Sequence, residues 1–240
     1  MNDTGHATGT AATGTTGTQV IEPETTVDPR HRNWVWRSIQ LLMQNIFVFW
    51  FRYRITGLER LPDGGALLLV NHQSFIDPLV VAVGMKRPVS YLARHDLFRV
   101  PVIGWILKNT YVMPIRRDSA GTESIRLAVD RLQQGYYVGL FPEGTRTRDG
   151  SLQEIKPGFL AILRRVKVPV VPVGVAGAID AYPRGALFIR PYPVRVSIGD
   201  PITVEEVQEL TQRGREQELL ERIRSSMLQS LSEANDMLAR

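Results

Sequence analysis

The chain has 240 residues, 43% hydrophobic and 22% charged, which is enough for one α/β domain with a sizeable core. It contains no cysteine, which excludes disulfides, thiol nucleophiles and metal sites with cysteine ligands. The formal charge of +5 suits an anionic ligand or an anionic membrane surface. No block of Lys and Arg with interleaved aromatic residues is present, so a nucleic-acid partner is not expected.

The first 56 residues divide into two parts of different composition. Residues 1–30, rich in Thr, Gly and Ala, are expected to form a disordered tail and lack the pattern of a signal peptide. Residues 31–56 contain three of the four Trp and three of the eight Phe. Their polar positions recur at helical spacing, at Asn33, Arg37, Gln40 and Gln44. This pattern predicts a membrane-associated amphipathic helix in the headgroup region, with a membrane span or a core helix as the alternatives.

Residues 57–240 are predicted to form an α/β domain, because strand-like and helix-like segments alternate from Gly57 onward. We expect a mixed, largely parallel sheet flanked by helices. Its strands are predicted at 66–70, 89–93, 111–115, 136–141 and 168–175. The prolines of the last of these segments favour an irregular or edge strand.

The C-terminal region is predicted to be helical. Thr203 and Glu206 form a capping box, and an apolar stripe at helical spacing runs from Leu220 to Leu238. The favoured interpretation is a helix packed on the sheet; a second membrane contact and a dimer seam are the alternatives.

The segment Asn71-His72-Gln73-Ser74-Phe75-Ile76-Asp77 follows the first buried strand. Ligands bind beyond the carboxyl ends of strands in open α/β sheets. In a turn leading into a helix, Asp77 can accept a hydrogen bond from one ring nitrogen of His72 and leave the other free as a base. A capped loop with a satisfied His and Asp is the alternative.

Rival catalytic groups are less favoured by the sequence. His95 beside Asp96 is a rival base, but adjacent residues in a helix or strand point apart. Ser74 lacks the Gly-x-Ser-x-Gly elbow of a serine hydrolase nucleophile. A metal enzyme is disfavoured because the chain has only four His and no helical His pair.

Candidate anion-binding groups follow two later strands. Arg116 and Arg117 end the strand predicted at 111–115, and guanidinium groups match phosphate oxygens. Phe141-Pro142-Glu143-Gly144-Thr145-Arg146 places a tight turn, a carboxylate, a hydroxyl and a guanidinium together. Lys156-Pro157-Gly158 opens a predicted helix whose N-terminus would also favour an anion. Solvated loop charges and a plain turn remain the alternatives.

Taken together, these stretches resemble the glycerolipid acyltransferase superfamily, in particular the 1-acylglycerol-3-phosphate acyltransferases, over roughly residues 57–200. The segment 71–77 matches the first family block, an Asn-His, then four residues and an Asp. Residues 111–118 resemble the second block and 141–146 match the third in every position. Val168-Pro169-Val170-Val171-Pro172-Val173 is similar to the fourth.

The resemblance implies transfer of a fatty acyl group from acyl-CoA or acyl-carrier protein to the free hydroxyl of 1-acylglycerol 3-phosphate, giving phosphatidic acid for phospholipid biosynthesis. Another acceptor (glycerol 3-phosphate, another lysophospholipid or a lyso-aminolipid) is the alternative. His72 would be the general base and Asp77 would orient it. The implied phosphate site consists of Arg117, Arg116, Glu143, Gly144, Thr145 and Arg146.

No cofactor or metal is expected beyond the acyl donor itself. The expected partners are membrane lipids, a lysophospholipid acceptor and acyl-CoA or acyl-carrier protein. Localisation is expected to be peripheral or monotopic, on the cytoplasmic face of the inner membrane. A membrane-binding module without activity would explain residues 31–56 but not the His, Asp and Arg blocks.

Overall fold

The computed structural model describes residues 34–115 and 120–240. In chain order its elements are α1 (Trp34–Phe51), β1 (Arg54–Thr56), β2 (Ala66–Val70), α2 (Asp77–Gly84), β3 (Val89–Arg94), α3 (Pro101–Asn109), β4 (Met113–Ile115), α4 (Ala120–Gln133), β5 (Tyr137–Leu140), α5 (Leu160–Leu163), β6 (Val170–Ala176), α6 (Ala178–Ala181), β7 (Arg195–Ile198), α7 (Val204–Leu210) and α8 (Glu216–Ala239). Short 3-10 turns lie at Leu58–Arg60, His95–Arg99 and Pro157–Phe159.

The strands form one sheet in the order β1-β7-β6-β2-β5-β3-β4. Every neighbouring pair is parallel except β6 and β7, which are antiparallel. The predicted mixed, largely parallel sheet is therefore confirmed. The sequence pattern does not predict β1 and β7, which have only three and four residues and so too few positions for a periodic pattern.

Strand β2 lies near the middle of the sheet, and all five of its residues are buried. Its alternate side chains enter two different cores. Leu67 and Leu69 pack in the core that contains α4, α5 and α8. Leu68 and Val70 pack in the core that contains α1 and α2. Helices thus cover both faces, and the parallel strands β2 to β6 end at one common edge.

The prediction of an edge strand over 168–175 is wrong, because β6 pairs with β2 on one side and β7 on the other. Pro172 is tolerated there because it lies just beyond the paired residues of β7. Its carbonyl accepts a hydrogen bond from the N–H of Gly199, after β7 has ended at Ile198. The missing N–H of Pro172 therefore falls outside the β6–β7 ladder.

Helix α1 confirms that the region predicted at 31–56 is helical, but the helix ends at Phe51. The last residues of that region, Arg54–Thr56, form strand β1 instead. The amides of Gln40 and Gln44 face the protein and donate to the carbonyls of Val83 and Met85 at the end of α2. The large side chains exposed on the other side are Trp34, Leu41, Leu42, Ile46, Val48, Phe49 and Trp50.

The described part of the chain contains no helix that is both long enough and apolar enough to cross a membrane.

Helix α8 packs on the sheet as predicted, through Ile223, Met227 and Leu231 of the expected stripe. Thr203 caps α7, since its hydroxyl accepts a hydrogen bond from the N–H of Glu206. The helix expected after Lys156 is only a 3-10 turn followed by the four-residue α5.

Candidate active site

The two principal sequence blocks meet because β2 and β5 are neighbours in the sheet. Leu69 and Leu140 are partners in the parallel register, so the loops after both strands start side by side. We call residues 71–77 the catalytic loop and residues 141–147 the second loop. Asn71 fixes the start of the catalytic loop: its side-chain amide donates to Val175 O at 3.0 Å and accepts from Val175 N at 2.7 Å. The Asn71 side chain thus continues the pairing of β2 with β6 beyond the end of β2.

The His and Asp of the catalytic loop are in direct contact. The Nδ1 atom of His72 lies 2.8 Å from Oδ2 of Asp77, which is fully buried and begins α2. The same oxygen accepts hydrogen bonds from the backbone N–H groups of Gln73 and Ser74, each at 2.7 Å. Three donors thus hold the carboxylate, and the carboxylate in turn fixes the ring orientation of His72.

Burial sets the electrostatics of Asp77. Removal from water raises the pKa of this carboxyl above its usual value, and hydrogen bonds from His72 and the N–H groups of Ser74 and Gln73 offset part of that rise. The donors around Oδ2 thus take the place of solvent for this carboxyl group.

The imidazole of His72 stacks on Phe141, the first residue of the second loop. The ring centroids lie 4.1 Å apart with an interplanar angle of 25°, and Tyr91 also stacks on Phe141, with a centroid distance of 5.8 Å. The side chain of His72 remains 20% exposed. The arrangement therefore confines the ring while leaving it partly open to solvent, with Nδ1 committed to Asp77.

Glu143 connects the two loops from below the surface, with an exposure of only 2%. Its Oε1 accepts from the N–H of His72 at 2.6 Å, and its Oε2 accepts from the N–H of Gln153 at 2.9 Å. Burial raises the pKa of this carboxyl, and the two backbone donors partly counter the rise. A further bond, from Thr147 N to His72 O at 2.8 Å, completes the connection. The sequence motif did not indicate that this carboxylate lies under the catalytic loop.

The exposed part of the second loop carries cationic groups. Gly144 adopts a φ of +70°, and a Cβ added there would lie 3.2 Å from Nζ of Lys156. The Lys156 backbone N–H donates to Pro142 O at 2.9 Å, which holds this lysine beside the turn. The guanidinium of Arg146 lies 5.8 Å from the ring centroid of Phe75 in the catalytic loop. Gly144 and Thr145 are both exposed.

Of the remaining candidates, Arg116 and Arg117 fall outside the described residues. Ile115, just before them, ends β4 at the same sheet edge. Ser74 is buried, and its hydroxyl donates to Tyr182 O at 2.8 Å, so it is committed to a structural bond. His95 begins the 3-10 turn that follows β3.

Within residues 34–115 and 120–240, no three His, Asp or Glu side chains gather in a way that could hold a metal ion. The expectation that only the acyl donor is needed stays a prediction.

The sequence of the chain is also similar to known proteins. Residues 52–176, about half of the chain, match the family model described as Acyltransferase. The chain is 32% identical over 173 residues to a chloroplastic 1-acyl-sn-glycerol-3-phosphate acyltransferase of Arabidopsis thaliana, a match covering 70% of this chain and 47% of the relative. It is 29% identical over 151 residues to a 1-acyl-sn-glycerol-3-phosphate acyltransferase of Bacillus subtilis, covering 62% and 73%. The chain spans about half the length of the plant relatives.

The fold is also similar to a solved structure. The crystal structure of the 1-acyl-sn-glycerophosphate acyltransferase PlsC from Thermotoga maritima superimposes with a TM-score of 0.69 at 22% identity, covering 85% of this chain and 80% of that one. The similarity supports the architecture, and the family model supports the membership. The chain belongs to the Acyltransferase family.

Proposed function

We propose that the protein transfers a fatty acyl group from an acyl thioester to the free hydroxyl of 1-acylglycerol 3-phosphate, giving phosphatidic acid. The observation that carries the proposal is the contact of His72 Nδ1 with the buried Asp77 at 2.8 Å, at the edge where the family's sequence blocks meet. The names of the relatives from Arabidopsis and Bacillus support the choice of acceptor.

The chemistry needs no covalent enzyme intermediate, because a thioester is already activated. In the proposed step Nε2 of His72 takes the hydroxyl proton as the acceptor oxygen attacks the thioester carbonyl, a contribution of about 10²–10⁴-fold to the rate. The C–S bond then breaks, and the proton passes from His72 to the thiolate. Asp77 holds the imidazole in the tautomer with Nδ1–H and stabilises the imidazolium.

The acceptor phosphate is proposed to bind on the exposed side of the second loop. The Lys156 ammonium lies beside the turn at Gly144, and Arg146, which follows the turn in the chain, extends its guanidinium over Phe75. Guanidinium and ammonium groups are the usual partners of phosphate oxygens. The sequence resemblance adds Arg117 or Arg116 to this proposed phosphate site.

The resemblance groups Glu143 with the phosphate site, but the proposed mechanism gives it a different role. Both of its oxygens are engaged by backbone N–H groups, one of them that of His72. We assign it the positioning of the catalytic loop.

We also propose that α1 lies on a membrane surface. Its exposed side presents large apolar side chains, whereas Gln40 and Gln44 attach it to α2. Contiguous exposed apolar surface is typical of interaction sites, and an amphipathic helix with aromatic residues suits the headgroup region. The cytoplasmic face of the inner membrane stays the predicted location.

An acyl-transfer assay tests the reaction with the full chain. Lysophospholipids with different headgroups, a lyso-aminolipid and glycerol 3-phosphate are each offered with acyl-CoA and with acyl-carrier protein. We expect the highest kcat/KM with 1-acylglycerol 3-phosphate. A clear preference for another acceptor would replace the proposed substrate, and the absence of transfer to every acceptor would contradict the enzyme assignment.

A further inference from the structure

A second exposed apolar surface lies on the segment that connects α6 to β7. We call residues 183–192 the connecting loop. Leu187 and Phe188 are 87% and 81% exposed, and the adjacent Ile189 is exposed as well. Single exposed apolar residues are common, whereas a contiguous exposed apolar patch is typical of an interaction site. The proposed chemistry uses none of them.

The connecting loop is joined at both ends to parts already described. At its start, Tyr182 O accepts the hydroxyl of Ser74 in the catalytic loop. At its end, Val194 N donates to Phe51 O at 2.9 Å, where α1 terminates. The adjacent Arg195 donates to Arg52 O at 2.6 Å. The segments that flank the connecting loop are therefore attached to the catalytic loop at one end and to the end of α1 at the other.

The charged residues of the connecting loop itself are all basic. Arg184 and Arg190 are exposed on either side of the apolar run, and the nearest acidic residue before the loop in the chain is the exposed Asp180 of α6. Arg52, which follows α1, and Arg54, which begins β1, are exposed too. Apolar side chains bracketed by arginines are the pattern that binds the interface of an anionic bilayer.

We propose that the connecting loop is a second membrane-docking element, which rests on the proposed function at a membrane. Leu187 and Phe188 insert at the boundary of headgroups and acyl chains, and Arg184 and Arg190 contact lipid phosphates. With α1 as the first contact, the loop turns the edge that carries His72 toward the bilayer that supplies the acceptor. A carrier protein would also match the arginines, but the large exposed apolar side chains between them, on a loop attached to the end of α1, favour lipid.

Site-specific labelling tests insertion directly, because the chain has no cysteine of its own. Phe188→Cys in the full chain is labelled with an environment-sensitive fluorophore and mixed with vesicles of phosphatidylglycerol and phosphatidylcholine. We expect a blue shift of the emission and quenching by lipids that carry spin labels in their acyl chains. The control is Ser232→Cys on α8, which packs on the opposite face of the sheet from α1. We expect no shift there.

Two results would overturn the proposal. One is an unshifted Phe188→Cys label on protein that sediments with the vesicles. The other is a shift with an acidic carrier protein and none with vesicles, which would assign the loop to a protein partner. Transfer to a monomeric short-chain acceptor is measured on the same samples. If the wild-type chain shows no transfer to this acceptor, the result contradicts the proposed function rather than the docking role of the loop.

Substitution of the loop gives an independent measurement. Leu187→Ser with Phe188→Ser should weaken vesicle binding roughly tenfold or more, since two inserted side chains return to water. Arg184→Gln and Arg190→Gln should each weaken binding to anionic vesicles by about fivefold at low salt. The control Leu228→Ser removes an exposed apolar side chain from α8 and should have no effect. Unchanged vesicle affinity in the loop variants would overturn the docking role.

Discussion

Asp77 gathers three donors on a single oxygen, and this is the feature that gives His72 a fixed orientation. Two of the donors are the backbone N–H groups of Gln73 and Ser74 in the catalytic loop. Asp77 itself lies in the first turn of α2, where the helix dipole also favours a negative charge. The loop is thus folded around the carboxylate before any substrate arrives. A base whose ring is already oriented loses no entropy when the acceptor binds.

Glu143 is expected to act through the position of His72. In Glu143→Gln the amide oxygen can accept only one of the two N–H groups, and the other is left buried without a partner, at a cost of about 1–3 kcal/mol. We expect kcat to fall by about 10²-fold, because a small displacement of His72 misaligns the proton transfer. The measurement is steady-state kinetics with the acceptor varied. A raised KM for the acceptor with unchanged kcat would place Glu143 in the phosphate site.

The His-Asp contact was predictable from the sequence, whereas the environment of Glu143 was not. A spacing of five residues at the start of a helix brings His72 and Asp77 together by local geometry alone. The contact between Glu143 and His72 instead depends on the neighbouring positions of β2 and β5, which no local pattern specifies. Lys156 was also predicted near an anion site, but the prediction relied on the N-terminus of a helix. The structure has only a 3-10 turn there.

Helix α1 has two sides with different roles, shown by two phenylalanines that are separated by a single residue. Phe47 is 4% exposed and packs in the core with α2, whereas Phe49 is 82% exposed. The amphipathic pattern of α1 is predicted by its sequence. The inward position of Gln40 and Gln44 is not, since it depends on unpaired carbonyls at the end of α2 that accept hydrogen bonds from the two amides.

These two side chains give a matched pair of variants. Phe47→Ala should lower the free energy of unfolding by about 3–5 kcal/mol through the cavity it leaves. Phe49→Ser should change stability by less than about 0.5 kcal/mol. It should nevertheless weaken binding to lipid vesicles about tenfold. Chemical denaturation and vesicle sedimentation measure the two effects. Equal vesicle binding of wild type and Phe49→Ser would argue against α1 as the membrane contact.

The contact of α8 with β6 depends on a glycine. A Cβ added at Gly174 would lie 2.1 Å from the carbonyl oxygen of Ser230 in α8, which is backbone and cannot rotate away. Gly174→Ala should therefore cost about 3 kcal/mol or more of stability. The control is Gly121→Ala in α4, where nothing lies within 4 Å and a gain of about 0.5–1 kcal/mol is expected. Similar midpoints of thermal unfolding for the two variants would contradict this packing.

The whole molecule separates its functions between the edge and the faces of one sheet. The strand ends carry the polar loops, one face carries α1 and α2, and the other carries α4, α5 and α8. This general architecture could be predicted, because alternating segments and a buried central strand specify a layered α/β fold. The strand order could not. It places β6 inside the sheet despite its prolines, since its pairing is set by distant β7 rather than by its own composition.

The stability of the folded molecule should depend on pH through the burial of Glu143. Its pKa is raised on folding, so the folded state holds this proton more tightly than the unfolded state does. The contribution of Glu143 to stability is then fully present below its unfolded pKa and declines as the pH rises through the folded value. The amide of the Glu143→Gln variant does not titrate, so the stability advantage of wild type over this variant should shrink with rising pH. Urea unfolding of both proteins from acidic to neutral pH measures this difference in stability. A stability advantage of wild type that grows with pH would contradict the prediction.

The central claim is that His72, oriented by Asp77, is the base for acyl transfer, and one variant tests it most directly. The measurement is kcat of full-length His72→Ala for transfer from acyl-CoA to 1-acylglycerol 3-phosphate. Its unfolding midpoint and vesicle binding serve as controls. We predict a fall of about 10²–10⁴-fold in kcat, with both controls close to wild type, because the ring is 20% exposed and supplies little of the core. Turnover near that of wild type in a folded, membrane-bound His72→Ala protein would contradict the account.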